Sequence, residues 1–265
     1  MTTPTVLGPP PPSPPPARPG RPRTTGDRVR TVVGVLGELL IAAGLLVLLF
    51  VAWQLWWTDV AAGRDQAATV SALSDQFEER GGGSGTPATP GATGATGGTS
   101  QGIPEGAFAV VRIPRLGGDW ATPVLPGTDA ETLRHGLGHY EDTAAPGKVG
   151  NFALAGHRTT WGRPLHDIDR LVAGDRIVVE TQAGWSVYAV TSAEVVAPTA
   201  VEVIAPVPDQ PGAEPTEAWL TLTSCHPRYS ARERYVVHAR LDRTYPRAAG
   251  LPAEVLAAPT SERSG

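Results

Sequence analysis

The pattern of apolar and polar positions divides the chain into a long apolar run, a polar tract and a region of short alternating segments. From Leu39 to Trp57, nineteen residues pass without a charged side chain. As a helix this run would be about 28 Å long, close to the roughly 30 Å hydrocarbon core of a bilayer. Apolar positions just upstream lengthen it, so the sequence predicts a transmembrane helix over residues 31–58.

The region that follows residue 103 has the pattern of a β domain. Short segments rich in β-branched and aromatic residues alternate with turns containing Gly, Pro or Asp, which favours strands. We expect strands at 108–113, 151–155, 176–181, 185–191, 193–197, 218–224 and 234–241. The capping-box spacing from Thr128 to Glu131 predicts a short helix through His135, and apolar positions between 165 and 171 predict another helical turn. Several strands at this spacing imply a small barrel or sandwich.

Composition adds connecting segments to this picture. The chain has 31 Gly and 27 Pro, and ten of the prolines lie in residues 1–30, which predicts an extended, solvated tail. Residues 59–80 are polar and are expected to continue as a juxtamembrane helix, and residues 81–102 contain no large apolar side chain and predict a flexible tether. We therefore divide the rest into a juxtamembrane and linker segment at 59–103, a folded domain at 104–247 and a flexible tail at 248–265.

The distribution of charge predicts the orientation of the helix. Five arginines precede the apolar run, and Trp53, Trp56 and Trp57 lie at its far end like an interfacial aromatic belt. The positive-inside rule then places residues 1–30 in the cytoplasm and the folded domain outside the cell. A cleaved signal peptide is the alternative, with small residues at 61–62, but its apolar region would span only about 7–15 residues. No basic stripe lies outside the tail, which argues against nucleic-acid binding.

Cys225 is the single cysteine of the chain. On the oxidising side of a membrane it has no intramolecular partner, so it is buried, paired between chains, or used as a nucleophile. If strands 218–224 and 234–241 pair antiparallel, Arg234 lies opposite Cys225, where a guanidinium can donate to an oxyanion. The alternative for Arg234 is a surface ion pair with Glu233 or Asp242.

A thiol nucleophile needs a general base, and histidine is the usual one. Six histidines are available, at positions 135, 139, 157, 166, 226 and 238. His157 ranks first because it directly follows the apolar strand 151–155, at a strand exit where catalytic groups are commonly displayed. His226 adjoins Cys225, but neighbouring side chains in extended chain point apart. His139 and His166 are expected in loops at the surface.

These residues carry a resemblance to a known family. The sequence TLTSC at 221–225 with Arg234, preceded by ALAGHR at 153–158, resembles the sortase signature of a nucleophile strand, a downstream Arg and an upstream His. The segments 138–169 and 225–239 are similar to the class E sortases of high-GC Gram-positive bacteria. The resemblance covers about residues 104–245. It departs at Ser224, where many relatives have Thr, so that the hydroxyl is kept and a methyl group is lost.

The resemblance implies a mainly β protein built on an eight-stranded sortase-type β-barrel with short helices. It implies a cysteine transpeptidase in which Cys225 is the nucleophile, His157 the general acid/base and Arg234 the oxyanion or substrate-backbone partner. Cys225 would attack the Thr–Gly carbonyl of a C-terminal sorting signal on a secreted protein. The amine of a peptidoglycan precursor would then resolve the thioacyl enzyme, attaching that protein to the cell wall.

The class E resemblance also implies a substrate preference, for Leu-Ala-x-Thr-Gly over Leu-Pro-x-Thr-Gly signals. We expect Tyr140 and Thr223 to contact the signal, with Tyr140 as one wall of the groove. No cofactor is expected, and no cluster of Asp, Glu, Cys or His in the sequence predicts a dedicated metal site.

Two other readings remain open at this point. An L,D-transpeptidase is also an exported cysteine enzyme of the wall, but that family expects His-Gly-Cys where this chain has Thr-Ser-Cys. A tethered, non-catalytic β domain that binds wall material would keep Cys225 buried, and its thiol would resist alkylation in the native fold.

Overall fold

The structure is a computed structural model, and it describes residues 25–82 and 104–257. Residues 1–24 of the predicted Pro-rich tail, residues 83–102 of the predicted tether with residue 103, and the last eight residues of the predicted C-terminal tail lie outside the described residues. The helices are α1 (Thr25–Gly82), α2 (Thr132–His135) and α3 (Ala253–Leu256). The strands are β1 (Ala109–Arg112), β2 (Ala121–Pro126), β3 (Leu137–His139), β4 (Gly150–Ala155), β5 (Arg176–Thr181), β6 (Gly184–Val196), β7 (Ala218–His226) and β8 (Glu233–Pro246).

The eight strands form a closed barrel, as the resemblance to sortases implied. Around the barrel the order is β1-β2-β3-β4-β7-β8-β6-β5, and β5 closes the sheet by pairing with β1. Two neighbouring pairs, β2–β3 and β4–β7, are parallel, and the other pairs are antiparallel. Closure leaves the sheet without a long free edge, which protects it from pairing with other chains.

Alternation along the strands builds the core. On β7, Leu220 and Leu222 are fully buried inside the barrel. Thr221 and Thr223, which alternate with them along the strand, belong to the opposite face. Alternation on the other strands, together with four residues outside the strands (Ile113, Leu165, Ile168 and Leu171), brings apolar side chains to one cluster. The strand residues of this cluster are Ala109, Val111, Val124, Leu137, Phe152, Leu154, Ile177, Val179, Tyr188, Val190, Leu220, Leu222, Val237 and Ala239. The opposite face of β7 is therefore left for polar chemistry.

The predicted strands differ from the observed ones at three places. The segments expected at 185–191 and 193–197 are one strand, β6, whose pairing with β8 is irregular between Val190 and Ser192. Two strands, β2 and β3, were not predicted. Prolines at both ends of the stretch 123–126 argued against a strand there, and β3 has only three residues, too few to show an alternation.

The short helices lie close to their predicted positions, with one change in how they begin. The predicted helix opening at Thr128 begins instead at Thr132. The Asp129 carboxylate accepts hydrogen bonds from the backbone N–H groups of Glu131 at 2.9 Å and Thr132 at 3.1 Å, so it satisfies two N–H groups at the start of α2. The expected turn near residue 168 is a 3₁₀ helix at Ile168–Arg170, with Ile168 buried in the barrel core.

The first part of α1 carries the long apolar run. Large apolar side chains between Val32 and Trp57 are exposed along it, and a stretch of α1 reaches a mean hydropathy of 2.6. Among residues 25–82 and 104–257, α1 is the one helix long and apolar enough to cross a membrane.

The later part of α1, residues 54–82, belongs to the same compact unit as the barrel. Val70, Leu73 and Phe77 are buried and form a cluster with Val110 of β1. Ser74 adds a polar contact to this packing, since its hydroxyl lies 3.2 Å from a carboxylate oxygen of Glu180 on β5. The polar segment predicted as a mere connector is therefore part of the folded domain, because its three apolar positions share one helix face.

The other end of the folded domain also reaches beyond its predicted limit at residue 247. Val255 of α3 is 5% exposed and packs with Val178 and Val187 on β5 and β6. The described part of the predicted flexible tail is thus held by apolar burial, which the few apolar positions in that segment did not reveal.

Candidate active site

Three of the predicted site residues, His157, Cys225 and Arg234, line one cavity of about 200 Å³. Cys225 is partly exposed, whereas the alternative of a non-catalytic domain expected a buried cysteine. The cavity lies where β4 and β7 end and β8 begins. Its remaining lining residues are Thr128, Leu133, Tyr140, Ala155, Gly156, Thr223 and Ser224.

Antiparallel pairing of β7 with β8 sets the position of Arg234. The register places Cys225 directly opposite Arg234, as the sequence predicted. Nη1 of Arg234 donates to the backbone oxygens of Ala231 at 3.1 Å and Glu233 at 3.0 Å, which anchors the guanidinium at the cavity. Within the described part of the chain Arg234 makes no ion pair with a carboxylate, so the surface-ion-pair alternative is not found.

Parallel pairing of β4 with β7 brings His157 to the same cavity. The pairing runs from Gly150 opposite Ala218 to Ala155 opposite Thr223. Two further hydrogen bonds extend it: the Gly156 N–H donates to the Thr223 carbonyl at 3.0 Å, and the Ser224 hydroxyl donates to the Gly156 carbonyl at 2.8 Å. The residues just before His157 and just before Cys225 are therefore tied directly to each other.

Packing explains why residue 156 is a glycine, and hydrogen bonding explains why residue 224 carries a hydroxyl. A Cβ on Gly156 would lie 2.5 Å from Leu137 Cδ2 and 2.8 Å from Leu165 Cδ1, so the close packing of two core leucines requires glycine. Ser224 is 3% exposed, and its hydroxyl satisfies a backbone carbonyl that would otherwise be buried without a partner. The hydroxyl, which is the part that Ser shares with Thr, is thus the part that the structure uses.

The other five histidines are engaged elsewhere. Nδ1 of His226 accepts from the Arg158 guanidinium at 2.8 Å, and Nδ1 of His166 lies 2.9 Å from the Arg158 carbonyl. Nε2 of His139 lies 3.2 Å from the Ala144 carbonyl. His135 approaches a Glu131 carboxylate at 3.5 Å, and His238 lies between Thr221 and Glu194. His157 is the one histidine that lines the cavity with Cys225.

The surroundings of His157 disfavour its charged form. Burial is the larger cause and the positive charge of Arg134 the smaller, and both hold the pKa of His157 below its usual 6.5. Arg134 itself belongs to α2, with its guanidinium 4.6 Å from the centre of the Trp161 ring. The imidazole is therefore largely neutral at neutral pH and is able to accept a proton.

Tyr140 and Thr223, expected to contact a substrate, also line the cavity. The Thr223 hydroxyl donates to the Leu154 carbonyl at 3.2 Å, which leaves it to accept from the Tyr140 hydroxyl, also at 3.2 Å. This chain of hydrogen bonds holds the Tyr140 ring at the cavity wall.

Arg158, a buried residue next to the cavity-lining His157, was not predicted from the sequence as a site residue. It is 3% exposed, and its guanidinium contacts the Asp169 carboxylate at 2.9 Å and the Cys225 carbonyl at 3.4 Å. Its charge also lies 5.4 Å from the centre of the Tyr235 ring. Arg158 thus ties the Cys225 end of β7 to the 3₁₀ turn at 168–170. The sequence feature that could have identified Arg158 is its position directly after His157.

A second group that the sequence did not link brings together His238 of β8, Glu194 of β6 and Asp209 of the connection between β6 and β7. Glu194, Asp209 and His238 present ligand-type atoms within 4.8 Å of one another. His238 pairs with Thr221, whose hydroxyl donates to the Asn151 side-chain oxygen at 2.8 Å. Asn151 in turn donates to the carbonyls of Val203 and Ala205, so this network attaches the connection between β6 and β7 to the barrel.

Comparison with known proteins supplies the family. The sortase domain family matches residues 111–242. Sortase SrtE2 of Streptomyces coelicolor is 37% identical over 237 residues, covering 85% of this chain and 88% of the relative. Sortase SrtE1 of the same organism is 36% identical over 243 residues, which is 89% of this chain, and the chain spans 64% of the length of SrtE1.

Solved structures agree with this match. Sortase E of Streptomyces avermitilis has 46% identity and a TM-score of 0.52, covering 57% of this chain and 97% of that structure. A crystal structure of sortase E1 from Streptomyces coelicolor with a tripeptide in its active site has 38% identity and a TM-score of 0.52, covering 56% of this chain and 95% of that structure.

The electrostatic role of Arg134 can be tested on the imidazole itself. We expect Arg134→Gln to raise the pKa of His157, because it removes a positive charge that opposes protonation. Burial is the larger cause and stays, so the pKa should remain below 6.5. An NMR titration of the His157 ring protons measures the change. Arg240→Gln serves as the control, because Arg240 pairs with Glu217 and neither residue lines the cavity. An unchanged or lower pKa in Arg134→Gln would contradict the assignment.

Proposed function

The chain belongs to the sortase family, a family of cysteine transpeptidases, and we propose that it transfers proteins bearing a C-terminal sorting signal to an amine of a cell-wall precursor. The observation that carries this proposal is the meeting of Cys225, His157 and Arg234 in one cavity. Nucleophile, acid/base and oxyanion donor are the three groups that acyl transfer requires.

In the first half of the reaction His157 takes the proton of the Cys225 thiol, and the thiolate sulfur attacks the carbonyl carbon between Thr and Gly of the signal. The oxygen becomes an oxyanion, and Arg234 donates hydrogen bonds to it. The C–N bond then breaks, the leaving amine takes a proton from His157, and a thioester remains on Cys225. Because burial and Arg134 lower the pKa of His157, the imidazolium that supplies this proton is a minor form at neutral pH.

In the second half the acceptor amine attacks the thioester carbon. His157, now neutral, takes the proton of the attacking nitrogen, and the Cys225 thiolate leaves. The low pKa of His157 leaves the imidazole neutral and ready for this step at neutral pH. The product joins the signal threonine to the wall precursor by a new amide bond. His157 then returns its proton to the Cys225 thiolate, which restores the starting state of the enzyme.

The signal is proposed to lie against Tyr140 and Thr223. The related sortase E1 holds a tripeptide in its active site, which supports a peptide in the corresponding cavity here. Tyr140 is braced by its hydrogen bond to Thr223, so it forms a wall that does not easily yield to a bulkier residue. We propose that this wall, together with the need for a backbone N–H donor, favours Ala over Pro at the second position of the signal.

The apolar part of α1 is proposed to anchor the enzyme, with the barrel outside the cell. Support comes from its length, its exposed apolar side chains and the five arginines that precede it in the sequence. This arrangement would place the cavity in the compartment where secreted substrates arrive.

Substitution of the catalytic arginine separates the proposed roles. We expect Cys225→Ala to abolish acylation and transfer, and Arg234→Ala to lower turnover by about 10²–10³, the usual effect of removing one oxyanion donor. Mass spectrometry of the thioacyl adduct and a peptide transfer assay measure these effects. Arg232→Ala, two residues away and exposed, is the matched control. An essential Arg232 with a dispensable Arg234 would show that the assignment is wrong.

Paired peptides test the substrate preference. We expect kcat/KM for a Leu-Ala-x-Thr-Gly peptide to exceed that for the matched Leu-Pro-x-Thr-Gly peptide by about fivefold or more, the effect of one hydrogen bond of about 1 kcal/mol. Tyr140→Ala should reduce the difference by opening the wall. Equal values in the wild type, or a preference for Pro, would contradict the class E specificity and leave the sortase chemistry unaffected.

Protease accessibility tests the orientation. Protease added to intact protoplasts is expected to remove the barrel and to leave the apolar part of α1 in the membrane, because the arginines hold the N-terminus inside. A reporter fused after residue 265 should be accessible from outside. A barrel protected from the protease until the membrane is lysed would overturn the proposed topology.

A further inference from the structure

Residues 54–82 of α1 make polar contacts with two walls that flank the catalytic cavity. Gln66 is 6% exposed, and its side-chain Nε2 donates two hydrogen bonds. One reaches the backbone carbonyl of Arg134 in α2 at 3.2 Å, and the other reaches the backbone carbonyl of Trp161 at 2.9 Å. One amide group therefore joins α2 to the loop that follows His157.

The loop contacted by Gln66 has a backbone that needs support. Trp161, Gly162 and Arg163 have φ angles of 54°, 76° and 51°, three consecutive residues in the left-handed region. Residues other than glycine adopt this region at an energetic cost, and they remain there only when the surroundings hold them. A Cβ added at Gly162 would lie 3.1–3.3 Å from the Gln66 amide, which shows how closely the helix approaches this loop.

The loop in turn is connected to the catalytic imidazole. The Leu165 N–H donates to the His157 carbonyl at 3.1 Å, so the loop closes on the residue at its start. The other wall, α2, contributes Leu133 to the cavity and Arg134, whose charge lowers the pKa of His157. A shift of either wall would therefore change the position or the surroundings of the imidazole.

Other contacts hold residues 54–82 against the barrel, so Gln66 is presented by a fixed element. Asp59 forms an ion pair with Arg163 of the same loop at 3.3 Å. Further along the helix, Val70, Leu73 and Phe77 are buried against the barrel. Arg247 adds a cationic contact, 5.6 Å from the centre of the Phe77 ring.

We propose that residues 54–82 are a working part of the transpeptidase, in which Gln66 is a positioning residue that holds α2 and the 157–165 loop in the geometry that catalysis needs. This inference rests on the proposed transpeptidase function for its catalytic readout. Gln66 does not reach the reacting atoms and acts through the two backbone carbonyls. Loss of its amide would leave both carbonyls without that donor and would release the left-handed loop.

The test uses the full chain in detergent micelles with Gln66→Met, which keeps the length of the side chain and removes the donor. Gln76→Met is the matched control, because Gln76 lies on the same helix and its side chain faces Arg80 of that helix. Hydrogen–deuterium exchange followed by mass spectrometry reports on residues 157–166 and 132–135. We expect faster exchange in these two segments in Gln66→Met, and wild-type exchange in Gln76→Met.

Steady-state kinetics with a sorting-signal peptide supplies the second readout. We expect kcat of Gln66→Met to fall about tenfold or more, since small displacements of a catalytic group can cost up to about 10²-fold in rate. KM should change less than kcat, and the thermal unfolding midpoint of Gln66→Met should stay close to that of Gln76→Met. A merely structural role would lower the midpoint without this separation of kcat from KM.

The two readouts fail in different ways. If exchange in both segments is the same in Gln66→Met as in the wild type, the positioning role is overturned. If exchange increases while kcat stays at the wild-type value, Gln66 holds the walls but catalysis does not need them there, and the proposal is also overturned. A wild-type enzyme that forms no thioacyl adduct would refute the proposed function, and the exchange measurement would still decide whether Gln66 holds the two walls.

Discussion

The site depends on the register of β7 between a parallel neighbour and an antiparallel one. Backbone hydrogen bonds to β4 on one side and β8 on the other determine which residues lie opposite Cys225. A slip of one residue would turn the cysteine toward the apolar interior and bring a leucine to the cavity, because side chains alternate faces along a strand. Burial of Leu220 and Leu222 inside the closed barrel opposes such a slip, so the packing of the core also determines the geometry of the candidate site.

Each buried polar group described around the site has a specific hydrogen-bond or ion-pair partner. Ser224 satisfies the Gly156 carbonyl, Thr223 satisfies the Leu154 carbonyl, and Arg158 connects the end of β7 to Asp169. Each of these donors is buried, where an unmade hydrogen bond is costly. The Cys225 end of β7 is thus held in one arrangement by buried hydrogen bonds as well as by the apolar packing of the barrel.

The short helix α2 affects the cavity in two ways, through the charge of Arg134 and through its contact with Gln66. The positive charge of Arg134 lowers the pKa of His157, and its guanidinium lies over the Trp161 ring. The backbone carbonyl of Arg134 accepts a hydrogen bond from the Gln66 side chain. Burial already disfavours the imidazolium, and the nearby guanidinium acts in the same direction. The helix that continues from the apolar run is therefore linked through backbone contacts to the residue proposed to move protons.

Local patterns in the sequence determined the apolar helix, the β class, most strands and the choice of His157, Cys225 and Arg234 as site candidates. Each depends on a short run: nineteen uncharged residues, alternating strands, or motifs such as TLTSC and ALAGHR. Tertiary structure alone decided the strands β2 and β3, the packing of Val255, and the contacts of Arg158 and Gln66. Gln66 and Trp161 are 95 positions apart, and neither shows a pattern of its own. The reason is physical, since periodicity records which face of an element is buried, whereas a buried polar contact depends on the partner that folding brings to it.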